Sequence, residues 1–98
     1  MSTNTDDRFS FSFPRAKFVD ENNIGQQLIH IRREVKEADD ELPPAGVDVM
    51  PFAIEVMDIY HSAETELRIL EEKHGVNIRD LMLEVAAKND ARGYYDAN

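Results

Sequence analysis

Residues 24–42 read IGQQLIHIRREVKEADDEL, and the spacing of their apolar side chains predicts a helix that packs in a bundle. Apolar residues recur at alternating steps of four and three, which is the a/d stripe of a packed helix. The members of this stripe are Ile24, Leu28, Ile31, Val35, Ala38 and Leu42. Asp20 is the predicted N-cap, so we expect the helix to cover about residues 21–41.

Capping and turn residues further along the chain predict two more helices. Asp48 can cap a second helix that Gly75 ends, and Asn77 can cap a third over about residues 78–91. Residues 51–60 are apolar on nearly all sides, so we expect them to be deeply buried. Short loops make consecutive helices antiparallel neighbours. The expected fold is all-α: a helical hairpin plus a third helix, in a four-helix-bundle-like core completed by oligomerisation.

The chain divides into an arm, a domain and a tail. We expect a flexible or extended N-terminal arm at 1–19, one helical domain at 20–95 and a C-terminal tail at 96–98. Within the arm, phenylalanine alternates with serine up to Pro14. Such an alternation is typical of an extended segment whose aromatic rings, here Phe9, Phe11 and Phe13, dock on one surface.

The composition excludes several classes of protein. The 98 residues contain 20 acidic and 11 basic side chains, a net charge of −9, so the basic footprint of a nucleic-acid-binding protein is absent. There is no cysteine, which excludes disulfides and thiolate metal sites. We find no signal-peptide pattern and no apolar run of membrane-spanning length. A cytoplasmic protein without membrane contact is expected.

Two pairs of acids are the candidate site. Glu34 and Glu37 are three residues apart on the first long helix, and Glu55 and Asp58 have the same spacing in the apolar segment of the second. Side chains at this spacing share one helix face. Pairing Glu34 with Asp58 and Glu37 with Glu55 gives equal sums of residue numbers, as residues at one level of an antiparallel hairpin must have. We therefore expect four carboxylates to face one small volume.

Four neighbouring carboxylates repel one another unless a cation lies among them. Ligation by carboxylate oxygens alone suits Mg²⁺, with Mn²⁺ as the alternative, and two ions would fit four carboxylates. The competing interpretation is structural, because Glu-x-x-Glu is common on solvated helix faces. The apolar surroundings of Glu55 and Asp58, and the matched register, favour a metal site.

The acid pairs resemble the hallmark of the MazG-like, all-α nucleoside triphosphate pyrophosphohydrolases, which have E-x-x-E on one helix and E-x-x-D on the next. Glu34-Val35-Lys36-Glu37 and Glu55-Val56-Met57-Asp58 match it. Members often add a Lys/Asn/Arg cluster on a later helix, and Lys88-Asn89-Asp90-Ala91-Arg92-Gly93-Tyr94 looks like that element. The resemblance covers about residues 24–95.

The resemblance implies a Mg²⁺-dependent house-cleaning enzyme, a homodimer or homotetramer, that hydrolyses a (deoxy)nucleoside triphosphate to the monophosphate and pyrophosphate. It assigns metal binding and catalysis to Glu34, Glu37, Glu55 and Asp58. The expected mechanism is metal-assisted attack of water on the α-phosphorus, with one carboxylate, such as Glu37, orienting the water. The candidate substrate-binding residues are Lys88, Asn89, Arg92, Tyr94 and His30.

The chemistry of these side chains suits a nucleotide, but alternatives stay open. Lys88 and Arg92 present two positive charges on one helix face, although cations are also common at any helix C-terminus. Asn89 can donate to a phosphate or sugar oxygen, and Tyr94 can stack on a base. His30 lies one helical turn before Glu34 and shares its helix face. A partly exposed helix histidine without a role in binding is nevertheless the commoner case.

The preferred substrate is also open, since dUTP, dCTP and a modified nucleotide all fit the pattern. The related phosphoribosyl-ATP pyrophosphatases, another branch of the same superfamily, fit it as well. The phenylalanine arm could cover a nucleotide base instead of docking on the helices. A rival from another class is a non-enzymatic acidic helical protein that regulates a partner or mimics DNA phosphates. That rival explains the net charge but not two acids in the most apolar segment of the chain.

Overall fold

The computed structural model describes residues 9–44 and 46–95, which form four helices and no strand. The helices are α1 (Phe18–Glu21), α2 (Ile24–Asp40), α3 (Met50–His74) and α4 (Ile78–Ala91). The all-α prediction is thus confirmed for these residues. The predicted tail at 96–98 and residues 1–8 of the predicted arm lie outside them. None of the four helices combines the length and apolar composition that a membrane crossing requires.

The start of α2 differs from the prediction. Asn23, not Asp20, is its N-cap: the Asn23 side chain accepts a hydrogen bond from the Gln26 backbone N–H, and the Gln26 side chain accepts one from the Asn23 N–H. This reciprocal pair is a capping box. Asp20 instead lies in α1 and pairs with Arg15 at 2.8 Å. The helix predicted at 21–41 therefore begins three residues later, after a separate short helix.

The boundaries of α4 and the end of α3 agree with the prediction, whereas the N-cap of α3 is Val49 and not Asp48. Asp48 accepts a hydrogen bond from the Met50 N–H at 3.0 Å near the start of α3. Gly75 ends α3 with φ of +69°, a left-handed conformation that glycine adopts without strain. Asn77 caps α4 by accepting from the Asp80 N–H at 3.0 Å.

The core of one chain lies between α1, α2 and α3. Helices α2 and α3 pack against each other as the two helices of the hairpin, and α1 packs against α3. The buried apolar side chains are Val19, Ala38, Ile69 and Ile78, and as many polar residues are buried beside them: Gln27, Ser62, Glu64 and Thr65. The seam between the two long helices is therefore unusually polar.

The face that α2 turns toward α3 was predicted wrongly in part. Ile24, Leu28 and Val35 are 42%, 44% and 49% exposed in one chain, although the predicted stripe placed them in the seam. Ala38, another member of the stripe, is buried as predicted, and Gln27 is buried where Leu28 was expected. The helix is therefore turned slightly from the expected orientation, because the buried amide of Gln27 bonds to the backbone of α3.

Apolar exposure continues on α3 and α4. Ile54 and Met57 are 55% and 54% exposed, so the predicted deep burial of residues 51–60 is wrong for a single chain. Helix α4 packs extensively against neither α2 nor α3 among the described residues. The radius of gyration is 16.5 Å, whereas a compact domain of this length has about 13 Å. One chain thus leaves apolar surface of three helices open.

Candidate functional site

A buried glutamine fixes the register of the α2–α3 seam. Gln27 is 1% exposed, and its Nε2 donates to the backbone oxygen of Ser62 at 3.1 Å. Its Oε1 accepts from Asn22 Nδ2 at 2.9 Å. Both ends of the amide are thus paired, as a buried polar group requires. Because these bonds fix the position of α2 against α3, they also determine which residues of the two helices face one another at His30 and Glu34, one and two turns after Gln27.

Glu34 is held on the same seam. Its carboxylate accepts a hydrogen bond from Ser62 Oγ, and the imidazole Nε2 of His30 lies 3.6 Å from its other oxygen. The Glu34 side chain is 15% exposed. Two of the predicted site residues, Glu34 and His30, are therefore neighbours, and the Glu34 carboxylate has a fixed orientation.

Glu55 lies among acids. Burial raises its pKa above the usual value, and the negative charges of Glu37, Asp58, Glu41 and Glu34 raise it further, in that order. The leading effect of Glu37 agrees with the predicted facing of Glu37 and Glu55. The other three acids of the predicted set are thus close enough to Glu55 for their charges to act on it. Glu41, the C-cap of α2, adds a further negative charge that acts on Glu55.

Among the described residues, no group of three His, Asp or Glu side chains is placed so that it could hold one metal ion. The metal site therefore stays a prediction. The donor chemistry nevertheless fits a hard divalent cation, because the charges that act on Glu55 are carboxylates. A cation among these acids would relieve the repulsion that raises the Glu55 pKa.

A small cavity opens beside these acids. Its volume is about 130 Å³, and Glu34 and Asp58 line it together with Gln27 and Thr65. Gln27 and Thr65 are each seven residues from the acid on their own helix, which is about 10 Å along a helix axis. The cavity thus runs along the seam, with carboxylates at one end.

The N-terminal arm forms part of the same region. Glu64 is buried and accepts hydrogen bonds from the backbone N–H groups of Ser12 at 2.7 Å and Phe13 at 2.9 Å. Arg68 donates to the Phe13 carbonyl at 2.7 Å. The Phe13 ring stacks on His61, with ring centres 4.2 Å apart. The arm is therefore docked on α3 at these residues.

The sequence analysis missed His61 and Glu64. His61 lines the cavity, and its Nε2 is buried without a hydrogen-bond partner in the described structure. One signal could have suggested a docked arm: Tyr60, His61, Glu64 and Arg68 recur at helical spacing on one face of α3.

The predicted basic element is not part of the seam. Lys88 and Asn89 lie on α4, which packs extensively against neither acid-bearing helix in the described residues. Arg92 lies just after α4, with its guanidinium 5.9 Å from the centre of the exposed Tyr94 ring. Within one chain, the structure therefore does not bring these cations to the carboxylates.

The site thus combines a carboxylate cluster, a cavity with aromatic walls and an anchored arm. Carboxylates that repel one another favour the binding of a cation, and aromatic walls favour a flat ring. Comparisons with models of protein families, with curated proteins and with solved structures find no match for this chain. The function has to be argued from the residues and their geometry.

Proposed function

We propose that the protein is a Mg²⁺-dependent pyrophosphohydrolase that converts a (deoxy)nucleoside triphosphate to its monophosphate and pyrophosphate. The observation that carries the proposal is the placement of Glu34 and Asp58 on one cavity of the α2–α3 seam, next to Glu55, whose pKa is raised in part by the neighbouring carboxylates. Such a cluster is unfavourable in a folded protein unless it binds cations. The resemblance of the acid pairs to MazG-like enzymes supports the same activity. A cytoplasmic location, where nucleotides are made and used, is part of the proposal.

Glu34, Glu37, Glu55 and Asp58 would hold Mg²⁺, with Mn²⁺ as a possible substitute. When bound, the ion supplies positive charge to the phosphates and makes water more acidic. Ser62 fixes the Glu34 carboxylate, and His30 lies beside it.

Lys88, Asn89 and Arg92 would bind the phosphates and sugar, and the exposed Tyr94 ring, which lies beside the Arg92 guanidinium, would stack on a base. Lys88 and Arg92 are separated by one helical turn, so both charges reach one polyphosphate. Because α4 is not packed on the acid-bearing seam, we propose that this binding requires either movement of α4 or a second copy of the chain.

We also propose that the active form is a homodimer or homotetramer. Ile24, Leu28 and Val35 form an exposed apolar stripe on α2, and Ile54 and Met57 are exposed on α3. Large exposed apolar surfaces are typical of sites where proteins associate. Light scattering after gel filtration should give twice or four times the mass of one chain, and Leu28→Lys should lower it. A monomer at micromolar concentration would contradict this part of the proposal.

The test of the activity is a product analysis with a panel of nucleoside triphosphates and Mg²⁺. We expect pyrophosphate and a monophosphate, with no orthophosphate as primary product. Glu55→Gln and Asp58→Asn should each lower kcat by about a hundredfold or more, whereas Glu84→Gln, an exposed acid on α4, should not. An absence of pyrophosphate from every nucleotide would refute the enzyme and favour the acidic interaction protein.

A further inference from the structure

A second cavity lies next to the one at Glu34 and Asp58. Its volume is about 310 Å³, more than twice that of the first, and Phe18 and His30 line both cavities. The centres of these two rings are 5.5 Å apart, so together they form a wall that the cavities share. We call the second one the Arg33 cavity, and its lining residues are Phe18, Asn22, Gln26, Ile29, His30 and Arg33.

The charge of the Arg33 cavity is opposite to that of its neighbour. Carboxylates line the first cavity, whereas every residue that lines the Arg33 cavity is neutral or basic. Lys17 adds positive charge nearby, because its Nζ lies 5.7 Å from the centre of the Phe18 ring. On a chain with a net charge of −9, this cavity is therefore a local site that attracts anions.

Two donors of this cavity are free to bond a ligand. The Arg33 guanidinium makes no hydrogen bond or ion pair within residues 9–44 and 46–95, which the structure describes. Gln26 uses its amide oxygen in the capping box of α2, and its NH₂ group has no partner in the same part of the chain. The two residues are two turns apart on α2, about 10 Å along the helix axis. This spacing favours an anion with two charged groups over a single phosphate.

The neighbouring carboxylates determine which anion suits the cavity. A guanidinium forms paired hydrogen bonds with carboxylates and with phosphates alike. The ion proposed to bind beside Glu34 and Asp58 would hold phosphate oxygens, and the shared wall places the Arg33 cavity next to them. Arg33 is also one helical turn before Glu37, yet the two form no ion pair among the described residues. Arg33 is thus an unpaired cation that the fold of one chain places beside the acids, as it does not place the cations of α4.

We propose that the Arg33 cavity binds the two terminal phosphates of the triphosphate, and that Arg33 is the residue that contacts them. The inference rests on the proposed function and deepens it, because it assigns the part of the substrate that leaves as pyrophosphate. Arg33 acts from the same chain as the carboxylates and adds to the charges of Lys88 and Arg92.

Titration with inorganic pyrophosphate tests this cavity without any turnover. In calorimetry of the full chain with Mg²⁺ present, Arg33→Ala should weaken pyrophosphate binding roughly tenfold or more. Arg33→Lys keeps the charge but lacks the planar fork, so it should restore only part of the affinity. Arg32→Ala is the matched control, because it removes the same charge from the neighbouring exposed residue, which does not line the cavity. No binding of pyrophosphate, an unchanged affinity in Arg33→Ala, or equal losses in Arg33→Ala and Arg32→Ala would overturn the inference.

A second variant tests the other donor and the class of anion. Gln26→Glu keeps the oxygen that the capping box requires but replaces the NH₂ group with a second carboxylate oxygen. It should weaken pyrophosphate binding roughly tenfold, well beyond Arg32→Ala, which changes the net charge by the same amount. Oxalate, a dianion of two carboxylates, should bind more weakly than pyrophosphate. An unchanged affinity in Gln26→Glu, or equal affinity for oxalate and pyrophosphate, would count against a phosphate subsite.

The two proposals fail in different ways. Release of pyrophosphate from a triphosphate, with KM and product inhibition by pyrophosphate unchanged in Arg33→Ala, would overturn the subsite and leave the proposed activity standing. Pyrophosphate binding that depends on Arg33, in a protein that hydrolyses no triphosphate, would overturn the activity and support the subsite.

Discussion

Replacement of Glu64 with glutamine tests how the N-terminal arm is held on α3. The carboxylate is 4% exposed and accepts hydrogen bonds from the backbone N–H groups of Ser12 and Phe13. Glutamine has one acceptor oxygen, so one N–H loses its partner and faces an amide NH₂. A hydrogen bond to a charged group contributes about 1.5–3 kcal/mol. We therefore expect the free energy of unfolding to fall by about 2–3 kcal/mol at pH 7.

The loss should depend on pH. Burial acts to raise the Glu64 pKa, but the bonds from Ser12 and Phe13 outweigh it, and the pKa is lowered from its ordinary value of 4.5. A lowered pKa means that the stabilisation is present above the ordinary pKa and is lost as the pH falls through the folded value. The difference between wild type and Glu64→Gln should therefore shrink on acidification below pH 4.5.

The assay is urea denaturation followed by circular dichroism. All variants are compared at one protein concentration, because the urea midpoint of an oligomer depends on the protein concentration. In a domain of this size a loss of 2 kcal/mol lowers the melting temperature by about 8–16 °C. Glu84→Gln, an exposed acid on α4, is the control. A loss below about 0.5 kcal/mol, typical of surface changes, would refute the anchoring role of Glu64.

Three further predictions concern the acids, the cations and a turn. Because the Glu55 pKa is raised, the charge of Glu55 disfavours folding once the pH exceeds the ordinary value of 4.5. Glu55→Gln should therefore raise the melting temperature at pH 7 without Mg²⁺. It should also abolish the increase in melting temperature that Mg²⁺ causes in the wild type. An unchanged response to Mg²⁺ would contradict a metal site there. Lys88→Ala and Arg92→Ala should each raise KM for the triphosphate roughly tenfold, whereas Lys36→Ala, which removes an exposed charge paired with Asp40, should not. Equal effects in all three variants would indicate general electrostatics instead of contact with phosphate. Gly75→Ala should lower the free energy of unfolding by about 1–2 kcal/mol, since alanine is strained at φ of +69°, and urea denaturation showing no loss would contradict that reason.

Local signals made the helices predictable. Asn77 marked the start of α4 and Gly75 marked the end of α3, because capping and left-handed turns depend on a few neighbouring residues. The start of α2 was missed because Asp20 and Asn23 are both good caps, and only Gln26 three residues after Asn23 completes a capping box. Choosing between two competent caps depends on tertiary pairs such as the one between Asp20 and Arg15.

The rotation of α2 could not be predicted from its apolar pattern. A stripe such as Ile24, Leu28 and Val35 shows that one face is buried but not which neighbour buries it. Within one chain that face is exposed, while Gln27 bonds to the backbone of Ser62 in the seam. The amphipathic pattern is therefore explained more fully by an assembly than by a single chain.

Residue spacing gives only part of the candidate site, and the four-carboxylate metal site stays a prediction. Helical spacing placed each acid pair on one face, and the register of the hairpin put Glu37 opposite Glu55, in agreement with the charges that raise the Glu55 pKa. The role of His61 was not predictable, because it depends on the path of the arm that brings Phe13 onto its ring. No local pattern in the sequence specifies that path.

Hydrolysis in water enriched in ¹⁸O tests the central claim most directly. The account predicts that, with Mg²⁺ and a hydrolysed deoxynucleoside triphosphate, the label enters the monophosphate and not the pyrophosphate, because water attacks the α-phosphorus beside Glu34, Glu37, Glu55 and Asp58. Label in the pyrophosphate, release of orthophosphate as the first product, or no hydrolysis of any triphosphate would contradict it.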